Sequence, residues 1–174
     1  MAFNERIAII GLGYVGLPLA TEFAKKYKVV GYDVDMARIK ELKRGIDRTG
    51  EISQKKLLLN NNLFFTNNAK NMKNADFFIL TVPTPITKNK KPDLSSIKKA
   101  AISVAKVMKK GVTIILESTV YPGVTEGYLV SILEKQSKFK HKKDFFVAYS
   151  PERINPGETK YKLTNIKKIV GADN

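Results

Sequence analysis

The chain has 174 residues, of which 43% are hydrophobic and 27% charged, and this balance predicts one globular domain with a sizeable core. It contains no cysteine, which excludes disulfides, thiolate metal sites and a thiol nucleophile within these residues. Its net charge of +15 comes mostly from scattered lysines, whereas base recognition and bidentate phosphate binding favour arginine, so we expect no nucleic-acid partner.

The N-terminus carries Asn4, Glu5 and Arg6 at the start of a short apolar run. Because that run stops at Gly11, the segment is typical of neither a signal peptide nor a membrane-spanning helix. We therefore expect a cytoplasmic protein with no membrane partner.

Short runs rich in Val, Ile and Phe alternate with stretches of helical period, a pattern that indicates a parallel sheet with crossover helices. Seven strands are predicted, at residues 6–10, 28–33, 63–66, 76–80, 112–117, 144–148 and 167–171. The fold class is therefore α/β: a doubly wound, mostly parallel sheet with helices on both faces, the Rossmann fold. We expect residues 1–174 to form a single domain.

Four helices are predicted between these strands. One begins near Tyr14, and one runs from Asp35 as N-cap to Gly45 in the residue after the C-cap. Another lies within residues 51–59, and the last follows Asp93 and closes at Gly111.

The sequence GLGYVG, residues 11–16, matches G-x-G-x-x-G between the first strand and the first helix. Gly11 suits the tight turn, Gly13 lets the backbone approach a pyrophosphate, and Gly16 lets the helix pack on the strand. Amides at the helix N-terminus would then hold the phosphates. The motif predicts a dinucleotide site, with FAD and S-adenosylmethionine proteins as alternatives.

Asp33 ends the second strand, 17 residues beyond Gly16. It favours NAD over NADP, because a carboxylate accepts hydrogen bonds from the ribose 2′-hydroxyl and repels a 2′-phosphate. Arg38 weakens this preference slightly, and we place it beside the adenosine ribose. We expect replacement of Asp33 by Ala to lower the affinity for NAD and to leave thermal stability nearly unchanged.

Three unusual loops follow later strands: TVPTPI from residue 81, STVYPGVTE from residue 118 and SPERINPGE from residue 150. Two prolines hold the hydroxyl of Thr84, and Pro122 with Gly123 predicts the start of a helix. Ligands of open α/β sheets lie beyond the carboxyl ends of the strands, so the three loops together predict a ligand site at that edge.

These motifs resemble the UDP-glucose/GDP-mannose dehydrogenase family, and the resemblance runs from Ile7 to the end of the chain. The matching signatures, in order, are GLGYVGLPLA, VPTP, ESTVYPGVTE and SPERINPG. The last of them, together with GIDRTGE at residues 45–51, most resembles the branch that oxidises UDP-N-acetylhexosamines, UDP-GlcNAc or UDP-GalNAc.

The resemblance implies a four-electron oxidation of the C6 alcohol of a UDP-sugar to a uronate, with two NAD used in turn, for polysaccharide biosynthesis. It also implies a cysteine that captures the intermediate aldehyde and a water that cleaves the resulting thioester. The alternatives are a UDP-glucose or GDP-mannose 6-dehydrogenase, another Rossmann dehydrogenase, and a basic nucleotide- or nucleic-acid-binding module.

Carried over by motif, the catalytic residues are Glu152, an acid/base group near the sugar C6, and Thr119, which positions a water. The implied cofactor contacts are Gly11, Gly13, Tyr14, Val15, Gly16, Asp33, Arg38, Thr84 and Thr119. The implied substrate contacts are Glu152, Arg153, Ile154, Asn155 and Pro156. Arg153 serves either as a salt-bridge partner or as a diphosphate contact, and no metal is expected.

The chain departs from the family pattern because it has no nucleophilic cysteine. The later lysine, asparagine and aspartate, the central helical region and the UDP-binding domain are also absent from these residues. We therefore expect a fragment that binds NAD without turnover, and a homodimer for the full-length protein.

Overall fold

The computed structural model describes residues 4–153 and 166–173, which contain a seven-stranded sheet. The strands are β1 Arg6–Ile10, β2 Lys28–Tyr32, β3 Leu63–Thr66, β4 Phe77–Leu80, β5 Val112–Leu116, β6 Phe145–Tyr149 and β7 Gly171–Ala172. Their order across the sheet is β3-β2-β1-β4-β5-β6-β7. The pairs from β3 to β6 are parallel, and β7 runs antiparallel to β6. The predicted doubly wound, mostly parallel sheet is thus confirmed.

The predicted seventh strand, residues 167–171, is wrong in position. Only Gly171 and Ala172 pair with β6. The apolar residues that suggested a strand, Ile169 and Val170, are 65% and 58% exposed, so they do not enter the core. Lys168 instead turns its side chain inward, towards charged groups at the edge of the sheet.

The helices follow the predicted order. They are α1 Gly16–Phe23, α2 Met36–Lys43, α3 Gln54–Leu58, α4 Ser95–Ala105 and α5 Val130–Ser137, with a 3₁₀ turn at Ala69–Met72 and a π-helical segment, Val124–Leu129, leading into α5. The predicted cap of α2 is confirmed, because the Asp35 carboxylate accepts the Ala37 amide at 2.8 Å. The predicted end of α4 is wrong: Gly111 lies beyond it, and its amide donates to the Asp144 carbonyl at 2.7 Å.

Two apolar layers flank the sheet. On one face α1, α2 and α3 cover β1, β2 and β3, with Ile9 and Phe65 in the core. On the other face α4 and α5 cover β4, β5 and β6, with Phe78, Ile114 and Phe145 fully buried. Because the chain winds outward in opposite directions from β1 and β4, a crevice opens between their carboxyl ends.

Among the described helices, none combines the length and the apolar character needed to span a bilayer.

Candidate functional site

Two glycines in the turn between β1 and α1 disfavour a side chain, Gly11 because of its backbone conformation and Gly16 because of a close contact. Gly11 has a φ of 97°, a conformation that favours glycine. A Cβ at Gly16 would lie 1.8 Å from the Gly11 carbonyl oxygen and 2.4 Å from Thr81 Oγ1. The Thr81 hydroxyl donates to the carbonyls of Ile10 at 3.1 Å and Gly11 at 2.8 Å. A side chain from the end of β4 thus fastens the loop at the crevice.

Gly13 differs from the other two glycines because it faces open space: a Cβ there would meet no atom within 4 Å. In the described part of the chain, the amides of Gly13, Tyr14, Val15 and Gly16 have no hydrogen-bond acceptor. Unpaired amides at a helix N-terminus, together with the helix dipole, attract anions. The loop therefore fits the diphosphate of a dinucleotide, with the Tyr14 side chain half-exposed beside it.

Asp33 ties the glycine loop to the end of β2. Its Oδ2 accepts the Leu12 amide at 2.8 Å, and its Oδ1 accepts the Asp35 amide at 2.9 Å. Each carboxylate oxygen keeps a further lone pair, so the group can still accept hydrogen bonds from ribose hydroxyls. Asp33 consequently stabilises the loop as well as presenting an acceptor to a ligand.

Arg38 lies beneath the loop, with only 5% of its side chain exposed. Its Nε donates to the Leu12 carbonyl at 2.9 Å, and its Nη2 pairs with Asp47 Oδ1 at 2.7 Å. Nη1 lies 4.0 Å from the Glu41 carboxylate and has no hydrogen-bond partner among the described residues. That nitrogen is itself buried, so the structure does not expose the guanidinium for the predicted ribose contact.

Asp47, in the GIDRTGE segment, is the buried counterion of Arg38, and its side chain is 1% exposed. It also accepts hydrogen bonds from the Thr49 hydroxyl and from the amides of Thr49, Glu51 and Ile52. Burial acts to raise the pKa of Asp47, but the hydrogen bonds from Thr49, Arg38 and Ile52 outweigh burial and hold the pKa below its usual value. Asp47 therefore stays ionised and holds Arg38 under the loop.

The loops after β4 and β5 form one wall of the crevice. Thr84 Oγ1 donates to the Thr119 carbonyl at 2.7 Å, and Ser118 Oγ donates to the Val82 carbonyl at 2.7 Å. Thr119 is exposed to solvent at the edge of the crevice. Two of the predicted cofactor contacts, Thr84 and Thr119, are thus brought together. The predicted helix start is also confirmed, because Gly123 has a φ of 93° and a helical segment follows it.

The loop after β6 brings Glu152 to the same edge, with 12% of its side chain exposed. Glu152 Oε1 accepts the Arg153 amide at 2.7 Å. The Arg153 guanidinium donates to the Lys167 carbonyl at 3.0 Å, and within residues 4–153 and 166–173 it forms no ion pair. The other predicted substrate contacts, Ile154, Asn155 and Pro156, lie outside the described residues.

Sequence reasoning missed two charged residues at this edge, Glu117 and Lys168. Glu117 follows β5, and its side chain is 5% exposed. The Lys168 ammonium pairs with Glu117 Oε1 and lies 3.7 Å from Glu152 Oε2. A carboxylate directly after the apolar run VTIIL was an available signal for Glu117. No sequence signal pointed to Lys168, because it lies within the predicted strand at residues 167–171.

Burial lowers the pKa of Lys168 to about 8. The carboxylates of Glu117 and Glu152 act in the opposite direction, because a nearby negative charge favours the ammonium. Lys168 is therefore mostly charged at neutral pH. Within the described residues there is no group of three or more His, Asp or Glu side chains that could hold a metal ion.

Comparison with known proteins identifies relatives of this site and fold. The sequence profile of the UDP-glucose/GDP-mannose dehydrogenase family, NAD binding domain, matches residues 5–174. Protein CapL of Staphylococcus aureus is 52% identical over 96% of this chain and 39% of its own length. A UDP-N-acetyl-D-glucosamine 6-dehydrogenase of Pseudomonas aeruginosa is 51% identical over 94% of this chain and 39% of its own length.

A solved structure, that of a UDP-D-ManNAc dehydrogenase from Pyrococcus horikoshii, superposes with a TM-score of 0.88 and 38% identity. The superposition covers 96% of this chain and 41% of that one. The chain thus spans about two fifths of the length of the curated relatives that it matches.

The contact at Gly16 yields a test of how the loop is built. Gly16→Ala would push a methyl group into the Gly11 carbonyl and the Thr81 hydroxyl. We expect the free energy of unfolding without nucleotide to fall by about 3 kcal/mol, the upper end of overpacking penalties. Gly13→Ala, in open space, should change it by less than about 0.5 kcal/mol. Urea denaturation followed by circular dichroism measures both, and equal losses would contradict the assigned close approach.

The buried pair Arg38–Asp47 predicts a loss of stability in acid. Asp47→Asn should lower the free energy of unfolding at pH 7 by about 3–5 kcal/mol, because it leaves a buried guanidinium without its counterion. The pKa of Asp47 is lower in the folded protein than in the unfolded chain. Its contribution is therefore complete above an unfolded-state pKa of about 3.9 and is lost as the pH falls through the folded-state value.

Chemical denaturation of wild type and variant across this pH range measures that difference, which should shrink in acid. Glu41→Gln is the matched control, because Glu41 also faces Arg38 but is 32% exposed and pairs with Arg48 at 2.6 Å. We expect it to cost less than about 1 kcal/mol. A difference between wild type and Asp47→Asn that stays constant into acid would exclude an ionised Asp47 as the source.

Proposed function

The chain belongs to the UDP-glucose/GDP-mannose dehydrogenase family and comprises its NAD binding domain. On this premise we propose that it is the NAD-binding part of a UDP-N-acetylhexosamine 6-dehydrogenase. The observation that carries the proposal is that two different groups lie at the carboxyl edge of the same sheet. The glycine loop offers unpaired amides, and Glu152 stands beyond the loops that bear Thr84 and Thr119. The loop amides suit the diphosphate of a dinucleotide, and the Glu152 carboxylate suits proton transfer.

NAD, when bound, supplies the acceptor for the hydride that leaves the sugar alcohol. The amides of residues 13–16 would hold its diphosphate, and Asp33 would accept hydrogen bonds from the adenosine ribose. Arg38, beneath the glycine loop, would lie beside the same ribose. Thr84 and Thr119, whose loops are joined by a hydrogen bond, would contact the cofactor on the β4 and β5 side.

Glu152 would be the acid/base residue near the sugar C6. Its carboxylate is largely shielded from solvent and close to an ammonium group, so it can receive a proton from a hydroxyl or from a water. Thr119 would position that water. A UDP-N-acetylhexosamine is the preferred substrate class, because half of the residues are shared with an enzyme named for UDP-N-acetyl-D-glucosamine.

The remaining chemistry would come from a longer polypeptide. The family resemblance requires a cysteine to capture the aldehyde, and these 174 residues contain none. We propose that residues 1–174 form a single domain, and that a central helical region and a UDP-binding domain complete the enzyme. A cytoplasmic location and a homodimer of the complete protein belong to the same proposal.

Cofactor choice tests the role of Asp33. Asp33→Asn removes the negative charge, so we expect the preference for NAD over NADP to fall by about tenfold, or 1.4 kcal/mol. Isothermal titration calorimetry of the 174-residue chain with each nucleotide measures it. Asp35→Ala is the control, because Asp35 caps α2 and should leave the preference unchanged. An unaltered ratio of the two dissociation constants in Asp33→Asn would remove Asp33 from the ribose site.

Asp33→Ala should also lower stability, contrary to the expectation from sequence. The structure shows that Asp33 accepts the amide of fully buried Leu12. Loss of that acceptor costs about 1–3 kcal/mol, so the stability of the variant has to be measured alongside its NAD affinity.

Turnover tests the proposal as a whole. A polypeptide of the relatives' full length should form two NADH per uronate with UDP-N-acetylglucosamine or a related UDP-N-acetylhexosamine, and less with UDP-glucose or GDP-mannose. The 174-residue chain should bind NAD and form no NADH. Absorbance of NADH and detection of the uronate by mass spectrometry give the result. Absence of NADH with every UDP-sugar would overturn the function.

A further inference from the structure

Lys168 lies between two acidic residues that belong to different strand ends. Glu117 follows β5, Glu152 follows β6, and the Lys168 ammonium pairs with the first and stands 3.7 Å from the second. All three side chains are largely shielded, with 18%, 5% and 12% of Lys168, Glu117 and Glu152 exposed. The backbone beside Lys168 is held as well, because the Lys167 carbonyl accepts the Arg153 guanidinium at 3.0 Å.

Glu117 accounts for the inward turn of Lys168. A carboxylate with 5% exposure needs a cation, because a buried and uncompensated charge is strongly destabilising. Glu117 alone does not account for the approach to Glu152. An ammonium has three donors and a compact charge, so it can serve two carboxylates at once.

Among the described residues, Lys168 is the cation that pairs with Glu117 and Glu152. Glu22 of α1 and Lys26, three residues beyond the end of α1, line a surface depression together with Lys168. Glu22 is already paired with Lys25 at 2.5 Å. When all three groups are ionised, the cluster of Glu117, Lys168 and Glu152 carries one net negative charge.

We propose that Lys168 is a positioning residue for the acid/base Glu152, with Glu117 as the anchor that fixes the ammonium. The ammonium holds the Glu152 carboxylate at the sheet edge, 3.7 Å from its Oε2. Glu152 is then ready to take the proton released when the O–H bond of a substrate hydroxyl or of a water breaks. This inference rests on the proposed function, because it assigns a partner to the residue proposed there as acid/base.

The test uses a polypeptide of the relatives' full length, with kcat and KM measured across pH for a UDP-N-acetylhexosamine. Lys168→Met should lower kcat by about 10- to 100-fold, because a misplaced catalytic group loses that much. The acid limb of kcat/KM should move up by about one pH unit, since two carboxylates left without a cation repel each other and retain a proton. Lys168→Arg keeps the charge and should recover most of kcat.

A double variant separates positioning of Glu152 from neutralisation of Glu117. Glu117→Gln with Lys168→Met removes both members of the buried pair, so neither charge is left uncompensated and the fold is retained. If Lys168 positions Glu152, the double variant keeps the lowered kcat. If Lys168 serves only Glu117, the double variant regains wild-type kcat and pH dependence, and the inference is wrong.

Two further measurements keep this result distinct from the proposed function. The dissociation constant for NAD, measured on the 174-residue chain, should not change in Lys168→Met or Lys168→Arg, because Lys168 forms its ion pairs with Glu117 and Glu152, away from the glycine loop, Asp33 and Arg38. If the wild-type polypeptide forms NADH and the double variant matches it, only the positioning role fails. If the wild type forms no NADH with any UDP-sugar, the proposed function fails, and the positioning role fails with it.

Discussion

The close approach of Gly16 to the Gly11 carbonyl and the Thr81 hydroxyl is the constraint on which the site depends. It brings the start of α1, the end of β1 and the end of β4 within hydrogen-bonding distance. A methyl group at Gly16 would separate all three. Because Gly16 has no Cβ, α1 can begin against the ends of β1 and β4. The start of α1 in turn determines where the loop amides point, and so where an anion can bind.

The polar groups around the loop hold its shape and also leave capacity for a ligand. Asp33 and Arg38 both bind the backbone of Leu12: the Asp33 carboxylate accepts its amide, and the Arg38 guanidinium donates to its carbonyl. Asp47 keeps Arg38 in place from below, at a depth where the charge needs a partner. Buried polar networks are stabilising only when their members are satisfied. Here the protein satisfies most of the side-chain donors and acceptors around the loop, whereas the buried Arg38 Nη1 has no hydrogen-bond partner among the described residues.

Much of the fold could be predicted because its signals are local. Alternating apolar runs gave six strands, the glycine spacing gave the loop, and Asp35 gave a cap that the structure confirms. The errors arose where the outcome depends on distant partners. Ile169 and Val170 have the composition of a strand, yet they are 65% and 58% exposed, and no described element covers them. Lys168 is a surface residue by composition, and only the fold places Glu117 beside it, 51 residues away in sequence. The burial of Arg38 likewise depends on Asp47, which no helical or strand period reveals.

The strand order separates the two kinds of chemistry at the sheet edge. β1 and β6 are three strand spacings apart, which is about 14 Å at roughly 4.8 Å per spacing. Donor amides stand at the β1 end of this distance, and the carboxylates of Glu117 and Glu152 stand at the β5 and β6 end. An extended dinucleotide with its diphosphate on the glycine loop would place one nucleoside over β2 and Asp33, and the other towards β5 and Thr119. Its reactive end would therefore meet the half of the edge that can accept a proton. A cation shared between the two carboxylates keeps that half negative without leaving two uncompensated charges side by side.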